Sequence, residues 1–225
     1  MDEKIYVGFG DVHGQTANAA RIPGIAEAAG VIVSGDLSNL GGKAEAEAVL
    51  AAVRAANPTV YAQIGNMDRA AADEALSAAG ANIHRKAVEL PGGAWLMGAG
   101  WSTTTPFGTP SEIDDATLGA WLEETWAKVG DPSRLILVCH TPPLDTAVDV
   151  VGSGAHVGSA AVRDFILRRE PAVCLTGHIH ESAAEDSLGR TRVVNPGMLA
   201  DGGYALIRVR PESIVIEHRR IGQGA

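Results

Sequence analysis

The chain has 225 residues, of which 46% are hydrophobic and 20% charged, and its 18 Lys and Arg against 27 Asp and Glu give a formal net charge of -9. This composition is that of a folded globular protein, and the length predicts a single domain over residues 1–225. The negative charge argues against bulk binding of nucleic acid or an anionic membrane, but a local metal cluster could still attract a small phosphorylated substrate.

The compartment is predicted from the N-terminus and the two cysteines. The first residues are acidic and lead directly into a strand, without a basic leader, and no stretch has the length of a membrane span. Cys139 and Cys174 each lie in a short apolar run and are expected to be buried free thiols, with a disulfide as the alternative. These features predict a cytoplasmic protein.

Strands and helices are expected to alternate along the chain, which indicates an α/β fold. Apolar runs bounded by Gly, Pro, Asn or Ser predict strands at residues 5–10, 31–35, 59–65, 94–100, 134–140, 172–177 and 191–195. Helical spacing of apolar residues predicts helices at 44–56, at 111–129 and from an N-cap at Ser159 to Pro171. Alternating runs over 204–221 predict a C-terminal antiparallel hairpin, so the sheet system is mixed. The irregular segment 102–110 is expected to form a wall of the substrate cleft, or else a plain surface connection.

Polar side chains follow the predicted strands at their carboxyl ends, where α/β sheets bind ligands. Because residues i and i+2 of an extended segment point to the same side, Asp11 is expected to pair with His13, and His178 with His180. Together with the other polar residues at strand ends, these pairs give seven N and O ligands, enough for two divalent ions that share a carboxylate. The seven are Asp11, His13, Asp36, Asn66, His140, His178 and His180.

The charge of such a site indicates its chemistry. Two carboxylates against two divalent cations leave an excess of about two positive charges, which suits a phosphate oxyanion. The sequence therefore predicts hydrolysis of a phosphate ester by a metal-bound hydroxide, with both metals stabilising charge on the phosphoryl oxygens.

The motifs GDVHG, GDLS, GNMD, CHTPP and GHIH follow one another between about residues 5 and 200. They resemble the five signature blocks of calcineurin-like metallophosphoesterases. The resemblance implies a β-sandwich of two mixed sheets flanked by helices, in agreement with the α/β pattern. It also implies a first metal held by Asp11, His13, Asp36 and His180, and a second held by the bridging Asp36 with Asn66, His140 and His178.

One position departs from the family pattern. Many members carry a histidine after the third-block asparagine, thought to protonate the leaving group, whereas this chain has Met67. The sequence thus resembles the small bacterial and archaeal branch that lacks this histidine and tends to favour phosphodiesters or activated esters. The expected activity is that of a phosphodiesterase; the alternative is a metal-binding scaffold on the same fold with little or no turnover.

Three further residues are candidates for contact with the substrate. His156, in a glycine-rich stretch, is a candidate general acid or substrate contact, or else a solvated loop histidine. Arg69 could neutralise a phosphate oxygen, or be a charge at the start of a helix. Asn195 begins an Asn-Pro-Gly turn often found near the cleft in the family, or is a plain turn residue. His84 and His218 lie outside every motif and are expected to be structural or exposed.

Metal identity and oligomeric state are less constrained by the sequence. Mixed imidazole and carboxylate ligation suits Mn, Fe, Zn, Ni or Co. Mn is the expected metal, with the other four as alternatives. The resemblance alone favours a homodimer.

Overall fold

The structure, a computed structural model, describes residues 2–222. Within this range the strands are β1 (Lys4–Phe9), β2 (Gly30–Val33), β3 (Val60–Ala62), β4 (Ala87–Leu90), β5 (Ala94–Ala99), β6 (Ser102–Thr103), β7 (Glu112–Ile113), β8 (Leu135–Cys139), β9 (Val173–Leu175), β10 (Ala184–Leu188), β11 (Thr191–Asn195), β12 (Gly203–Val209) and β13 (Ile214–Arg220). The α-helices are α1 (Lys43–Ala56), α2 (Ala70–Ala78), α3 (Asp115–Trp126) and α4 (Ala160–Arg169).

The strands form two mixed sheets and one short ladder. The first sheet has the order β13-β12-β1-β2-β3, in which β1, β2 and β3 are parallel and β12 is antiparallel to β1. The second has the order β10-β11-β9-β8-β5-β4, with four parallel central strands and an antiparallel strand at each edge. The strands β6 and β7 pair separately.

Three apolar clusters fill the layers between and outside the sheets. The inner faces meet in one cluster that includes Ile32, Leu96 and Val138. The helices α1 and α2 cover the outer face of the first sheet, and α3 and α4 cover that of the second. Because both sheets are covered on both faces, their central strands are apolar throughout rather than alternating. The predicted sandwich of two mixed sheets flanked by helices is confirmed.

Most predicted elements agree with the structure, but several bounds differ. The third helix begins at Asp115 rather than Ser111, because Glu112 and Ile113 pair with Ser102 and Thr103, and the Asp114 side chain then accepts the Thr117 N–H as an N-cap. Strand β3 is shorter than predicted and ends at Ala62, although the Gln63 N–H still donates to the Val33 carbonyl at 3.2 Å. The sequence patterns do not predict α2, β4 and β10.

Both cysteines are buried free thiols, as predicted. They lie on the adjacent strands β8 and β9, and burial raises the pKa of the Cys139 thiol to about 12. None of the helices within residues 2–222 combines the length and apolar character needed to cross a bilayer.

We expect Ser159→Ala to lower the free energy of unfolding by about 1–2 kcal/mol, because Ser159 caps α4 and is buried. Its Oγ accepts the Val162 N–H at 3.0 Å and donates to Asp115 on α3. Urea denaturation of both proteins measures the difference. Ser213→Ala, in the exposed turn of the C-terminal hairpin, is the control and should change stability by less than about 0.5 kcal/mol. Equal stability of the two variants would contradict this role of the cap.

Candidate metal centre

The seven predicted ligands lie where the parallel strands of both sheets end. The first sheet supplies Asp11 after β1, Asp36 after β2 and Asn66 after β3; the second supplies His140 after β8 and His178 after β9. The carboxyl ends of the two sets of strands thus open on the same side of the sandwich, and the cluster forms across the seam between the sheets.

The side chains assemble into two groups that could each hold a metal ion. One contains Asp11, His13, Asp36 and His180, and the other Asp36, His140 and His178. Within each group the ligand atoms all lie within 4.8 Å of one another. The Nε2 atoms of His13 and His180 face each other at 3.1 Å, a separation at which two imidazoles must share a proton or a cation.

Asp36 is the one residue common to both groups. Its Oδ1 lies 3.4 Å from His140 Nε2, and its Oδ2 lies 3.8 Å from His13 Nε2. The Met67 N–H donates to Oδ1 at 2.8 Å and fixes the orientation of the carboxylate. With one oxygen directed to each group, Asp36 has the geometry of a bridging ligand.

Asn66 joins the second group through its side-chain oxygen. Its Oδ1 lies 3.1 Å from His140 Nε2, while its Nδ2 donates to Thr109 Oγ1 at 3.0 Å. The hydrogen bond to Thr109 orients the amide so that the oxygen faces the centre. The donors of both groups are therefore imidazole nitrogens and carboxylate or amide oxygens, a set that suits divalent transition metals.

Several ligands occupy left-handed backbone conformations. The φ angles are 48° at Asp11, 48° at His13, 49° at Asp36 and 72° at His178. Each such conformation lowers the free energy of unfolding by about 1 kcal/mol or more, and residues strained in this way are typical of functional sites. The expected pairing of Asp11 with His13 therefore occurs, but its predicted cause is wrong: the segment turns sharply and is not extended.

Contacts behind the ligands fix their direction. Asn39 Oδ1 lies 2.8 Å from His13 Nδ1, which leaves Nε2 to face the centre. Gly65 allows the third loop to approach closely, because a Cβ at that position would collide with Asp36 and His140.

Asp68, the last residue of the GNMD motif, is a structural carboxylate that sequence analysis did not identify. It is fully buried and accepts the N–H groups of Leu37, Ser38 and Gly65 at 2.8–3.1 Å, together with the Ser38 hydroxyl at 2.7 Å. Burial, and next the nearby Asp36, raise the pKa of Asp68 to about 6. This carboxylate ties the loop of Asp36 to the loop of Asn66.

Asn195 lies beneath the centre rather than in it. Its side chain is fully buried, its Nδ2 donates to the Ile179 carbonyl at 2.9 Å, and its Oδ1 accepts the Gly197 N–H at 2.9 Å. A fully buried amide has no surface with which to contact a substrate. The structure thus gives Asn195 the task of supporting the His178–His180 turn, in place of the predicted substrate contact.

His156 is held by a buried acid. Its Nδ1 lies 2.7 Å from Oδ1 of Asp149, which is fully buried and also accepts the N–H groups of Thr146 and Gly158. This hydrogen bond raises the pKa of His156, and 39% of the His156 side chain is exposed. The sequence does not single out the orienting Asp149, since an acid seven residues before a histidine gives no local signal.

The loop that carries His156 is attached to the segment after His180. The Gly152 N–H donates to Glu181 Oε1 at 3.0 Å, and the Ser182 hydroxyl donates to the Val150 carbonyl. Val150 in turn pairs with His156 as an isolated bridge. These contacts place the loop at the His180 side of the centre.

Arg69 and the remaining histidines lie outside the cluster. Arg69 precedes α2, and its Nε donates to the Leu40 carbonyl at 2.8 Å, next to Asn39. His84 accepts the Gly100 N–H at 3.0 Å, and burial lowers its pKa to about 4, so it is structural as expected. His218 is partly buried on β13.

Electrostatics within the cluster are dominated by the pairing of Asp36 and His140. Burial alone would raise the pKa of Asp36, but the attraction of His140, the Met67 N–H and His13 outweigh it and lower the pKa to about 2. Burial would lower the pKa of His140, but Asp36 outweighs it and raises the pKa to about 9. Burial and the neighbouring His140 lower the pKa of His178 to about 4. Without a bound cation, His140 therefore carries the balancing positive charge at neutral pH.

Comparison with known proteins finds a family model and a sequence relative. A family model described as metallophosphoesterase, calcineurin superfamily, matches residues 126–219. An uncharacterized protein of Methanocaldococcus jannaschii, MJ1162, is 33% identical over 203 residues, which cover 84% of this chain and 86% of the relative.

Two solved structures share the fold at low sequence identity. TT1561 of Thermus thermophilus is similar with a TM-score of 0.73 and 19% identity, over 98% of this chain and 100% of that one. GAP50, the anchor in the inner membrane complex of Plasmodium, is similar with a TM-score of 0.66 and 13% identity, over 100% of this chain and 87% of its own. At these identities the likeness concerns the fold alone.

We expect metal binding to release at least one proton near pH 7 and to strengthen as pH rises towards about 9. A metal ligand must be neutral, and the His140 imidazole is protonated below a pKa of about 9, whereas Asp36 and His178 need lose no proton at pH 7. His140 alone should weaken affinity by about tenfold for each pH unit below 9. Titration calorimetry of the metal-stripped protein, in buffers of different ionisation enthalpy, measures both quantities. Affinity that is constant from pH 6 to 9, with no proton release, would contradict this charge pairing.

Proposed function

Because the chain belongs to the calcineurin superfamily of metallophosphoesterases, we propose that it hydrolyses phosphodiester bonds in a small phosphorylated substrate, using two divalent metal ions. The observation that carries this proposal is the position of Asp36, which directs one carboxylate oxygen to each of two ligand groups. A single-metal or purely structural site has no need of a carboxylate shared in this way.

Each ligand has a defined task in this proposal. Asp11, His13 and His180 would hold one ion, Asn66, His140 and His178 would hold the other, and Asp36 would be shared by both. When bound, the ions supply Lewis acidity at the phosphoryl oxygens and activate the attacking water. The two carboxylates neutralise only half of the cationic charge, so a phosphate anion is still attracted. Mn is favoured for this donor set, with Fe, Zn, Ni and Co as alternatives.

His156 is proposed to protonate the leaving oxygen or to contact the substrate. The buried Asp149 holds Nδ1, so that Nε2 is the nitrogen available to a ligand. The hydrogen bond to Asp149 also raises the pKa of His156, which keeps a proton on the imidazole nearer to neutral pH, as a general acid requires.

The preference for diesters rests on the third motif. Met67 occupies the position where many family members have a histidine acid, and a thioether cannot donate a proton. We infer from the resemblance that such a centre favours phosphodiesters or activated esters over ordinary monoesters. Arg69, adjacent to the same motif, is proposed to balance the charge of a phosphate oxygen.

We expect the metal-stripped protein to be inactive, and Mn to restore cleavage of a chromogenic phosphodiester in preference to its matching monoester. Asp36→Asn should reduce turnover by about 10³-fold or more and lower the bound metal, because one oxygen of the bridge becomes a donor group. Asp164→Asn, at an exposed position of α4, is the matched control and should retain both. Activity and metal content are measured on the same samples, and circular dichroism verifies the fold.

Two outcomes would oppose the proposal. Undiminished turnover in the Asp36 variant would rule out a bridged centre. Metal uptake without cleavage of either ester would favour the alternative function, a metal-binding scaffold on the same fold.

We expect His156→Ala to slow the cleavage of diesters with poor leaving groups by about 10²-fold and to leave those with good leaving groups near the normal rate. An alcohol of high pKa needs a proton as it departs, whereas a nitrophenolate does not. Ser153→Ala, in the same loop, is the control and should behave as the unmodified protein. The dependence of log kcat/KM on leaving-group pKa is the measurement. Equal losses for all esters would assign His156 to substrate binding rather than to proton transfer.

A further inference from the structure

The large hydrophobic side chains exposed to solvent are not evenly distributed over the described surface. Within residues 2–222 they are Leu40, Phe107, Val157 and Leu167, with exposed fractions of 50%, 83%, 40% and 45%. The first three lie in loops that are hydrogen-bonded to a ligand or to the segment after His180, whereas Leu167 lies on α4. Single exposed hydrophobic residues are common, but their concentration around one site indicates recognition.

Leu40 is fixed beside the ligand His13. Its neighbour Asn39 bonds His13 Nδ1, its own N–H donates to the Met67 carbonyl at 2.9 Å, and its carbonyl accepts Arg69 Nε. Its φ of 60° is a conformation that a branched side chain adopts only under constraint from its surroundings. The exposure of Leu40 is therefore imposed by the fold and is not a product of a loose loop.

Phe107 is presented by a braced loop that reaches the ligand Asn66. Glu112 Oε1 accepts the Thr105 hydroxyl at 2.6 Å and the Thr109 N–H at 2.7 Å, and the Phe107 N–H donates to Thr105 Oγ1 at 3.1 Å. Thr109 Oγ1 also accepts from Asn66, which couples the loop to the centre. A loop braced by these hydrogen bonds presents the aromatic ring of Phe107 to solvent, where it is a preorganised apolar contact.

Val157 adds a third apolar side chain next to His156. Its N–H donates to the backbone carbonyl of Asp149 at 3.1 Å. The residue whose carboxylate orients His156 therefore also holds the backbone of Val157. The side chains of Leu40, Phe107 and Val157 thus belong to three separate loops around the centre, and we refer to these three residues as the apolar rim.

We propose that the apolar rim binds the alkyl ester arm that stays on the phosphate, so that the preferred substrates are phosphate diesters whose second ester group is hydrophobic. This inference rests on the proposed function. The centre attracts the phosphate through charge, and the rim contributes attraction that grows with the apolar surface of the arm. An anionic membrane is a poor occupant for the same surface, because the net charge of the chain is -9.

The test is a series of p-nitrophenyl phosphodiesters whose second ester arm is methyl, butyl or hexyl, assayed with the Mn-loaded protein. Full burial of one methylene group strengthens binding about fourfold, and we expect an open rim to bury about half of each methylene. The value of kcat/KM should therefore rise about twofold per methylene, or on the order of 30-fold from the methyl to the hexyl ester. The Leu40→Ser and Phe107→Ser variants should each reduce the hexyl-to-methyl ratio several-fold, and the double variant should bring it close to one. Leu167→Ser, a matched change distant from the rim, should leave the ratio as it is.

The outcomes separate the two proposals. The role of the rim is wrong if kcat/KM is the same for all three esters in the unmodified protein, or if the double variant keeps the hexyl-to-methyl ratio. In either case, Mn-dependent cleavage of the methyl ester would still support the metal centre. Absence of Mn-dependent cleavage of every ester overturns the proposed function instead. If light scattering shows a dimer that Phe107→Ser dissociates, and the ratio stays unchanged, the rim is an interface between two copies and the inference is wrong.

Discussion

Lone pairs that converge on one small volume repel one another, and the rest of this structure depends on resisting that repulsion. Seven nitrogen and oxygen donors face a common region, and most of them are buried. In the absence of a cation, a proton on His140 is the main charge that offsets the charge of Asp36. The surrounding fold must therefore hold the donors in place before the cation that they suit is bound, which is the condition for high affinity and selectivity at a metal centre.

The sandwich meets this condition by drawing the donors from both sheets. Parallel strands in each sheet end on the same side, so the loops that follow them converge from two directions. Two fully buried side chains then fix those loops: Asp68 joins two loops of the first sheet, and Asn195 supports the His178–His180 turn of the second. Neither is a ligand, yet both determine where ligands lie. The strain at Asp11, His13, Asp36 and His178 is tolerated because this framework leaves the chain no alternative.

The sequence alone identifies the donors that the structure brings together, because each donor belongs to a local motif. In that motif an apolar strand is followed by Asp, Asn or His at a turn that contains glycine. The sequence does not predict features that depend on a contact with a residue far away along the chain. The left-handed turn at Asp11 and His13 brings the two side chains together as an extended segment would, so their predicted proximity follows from an incorrect geometry. The acids Asp68 and Asp149 look like ordinary loop residues, since their donors are backbone N–H groups that only the folded chain brings near. Helical periodicity misplaces the start of α3 because pairing of Glu112 with Ser102 outweighs local helix propensity.

The separation of the donors along the chain has a consequence for how the protein is made. His13 and His180 face each other at 3.1 Å but lie 167 residues apart in sequence. A chain that leaves the ribosome at about 5–20 residues per second has the motifs of the first sheet exposed for many seconds before those of the second appear. During that interval the nascent chain offers only Asp11, His13, Asp36 and Asn66, which complete neither of the two groups. Each group is completed only by a histidine from the last third of the chain, His180 for one and His178 for the other, so the centre can assemble only when translation is nearly finished.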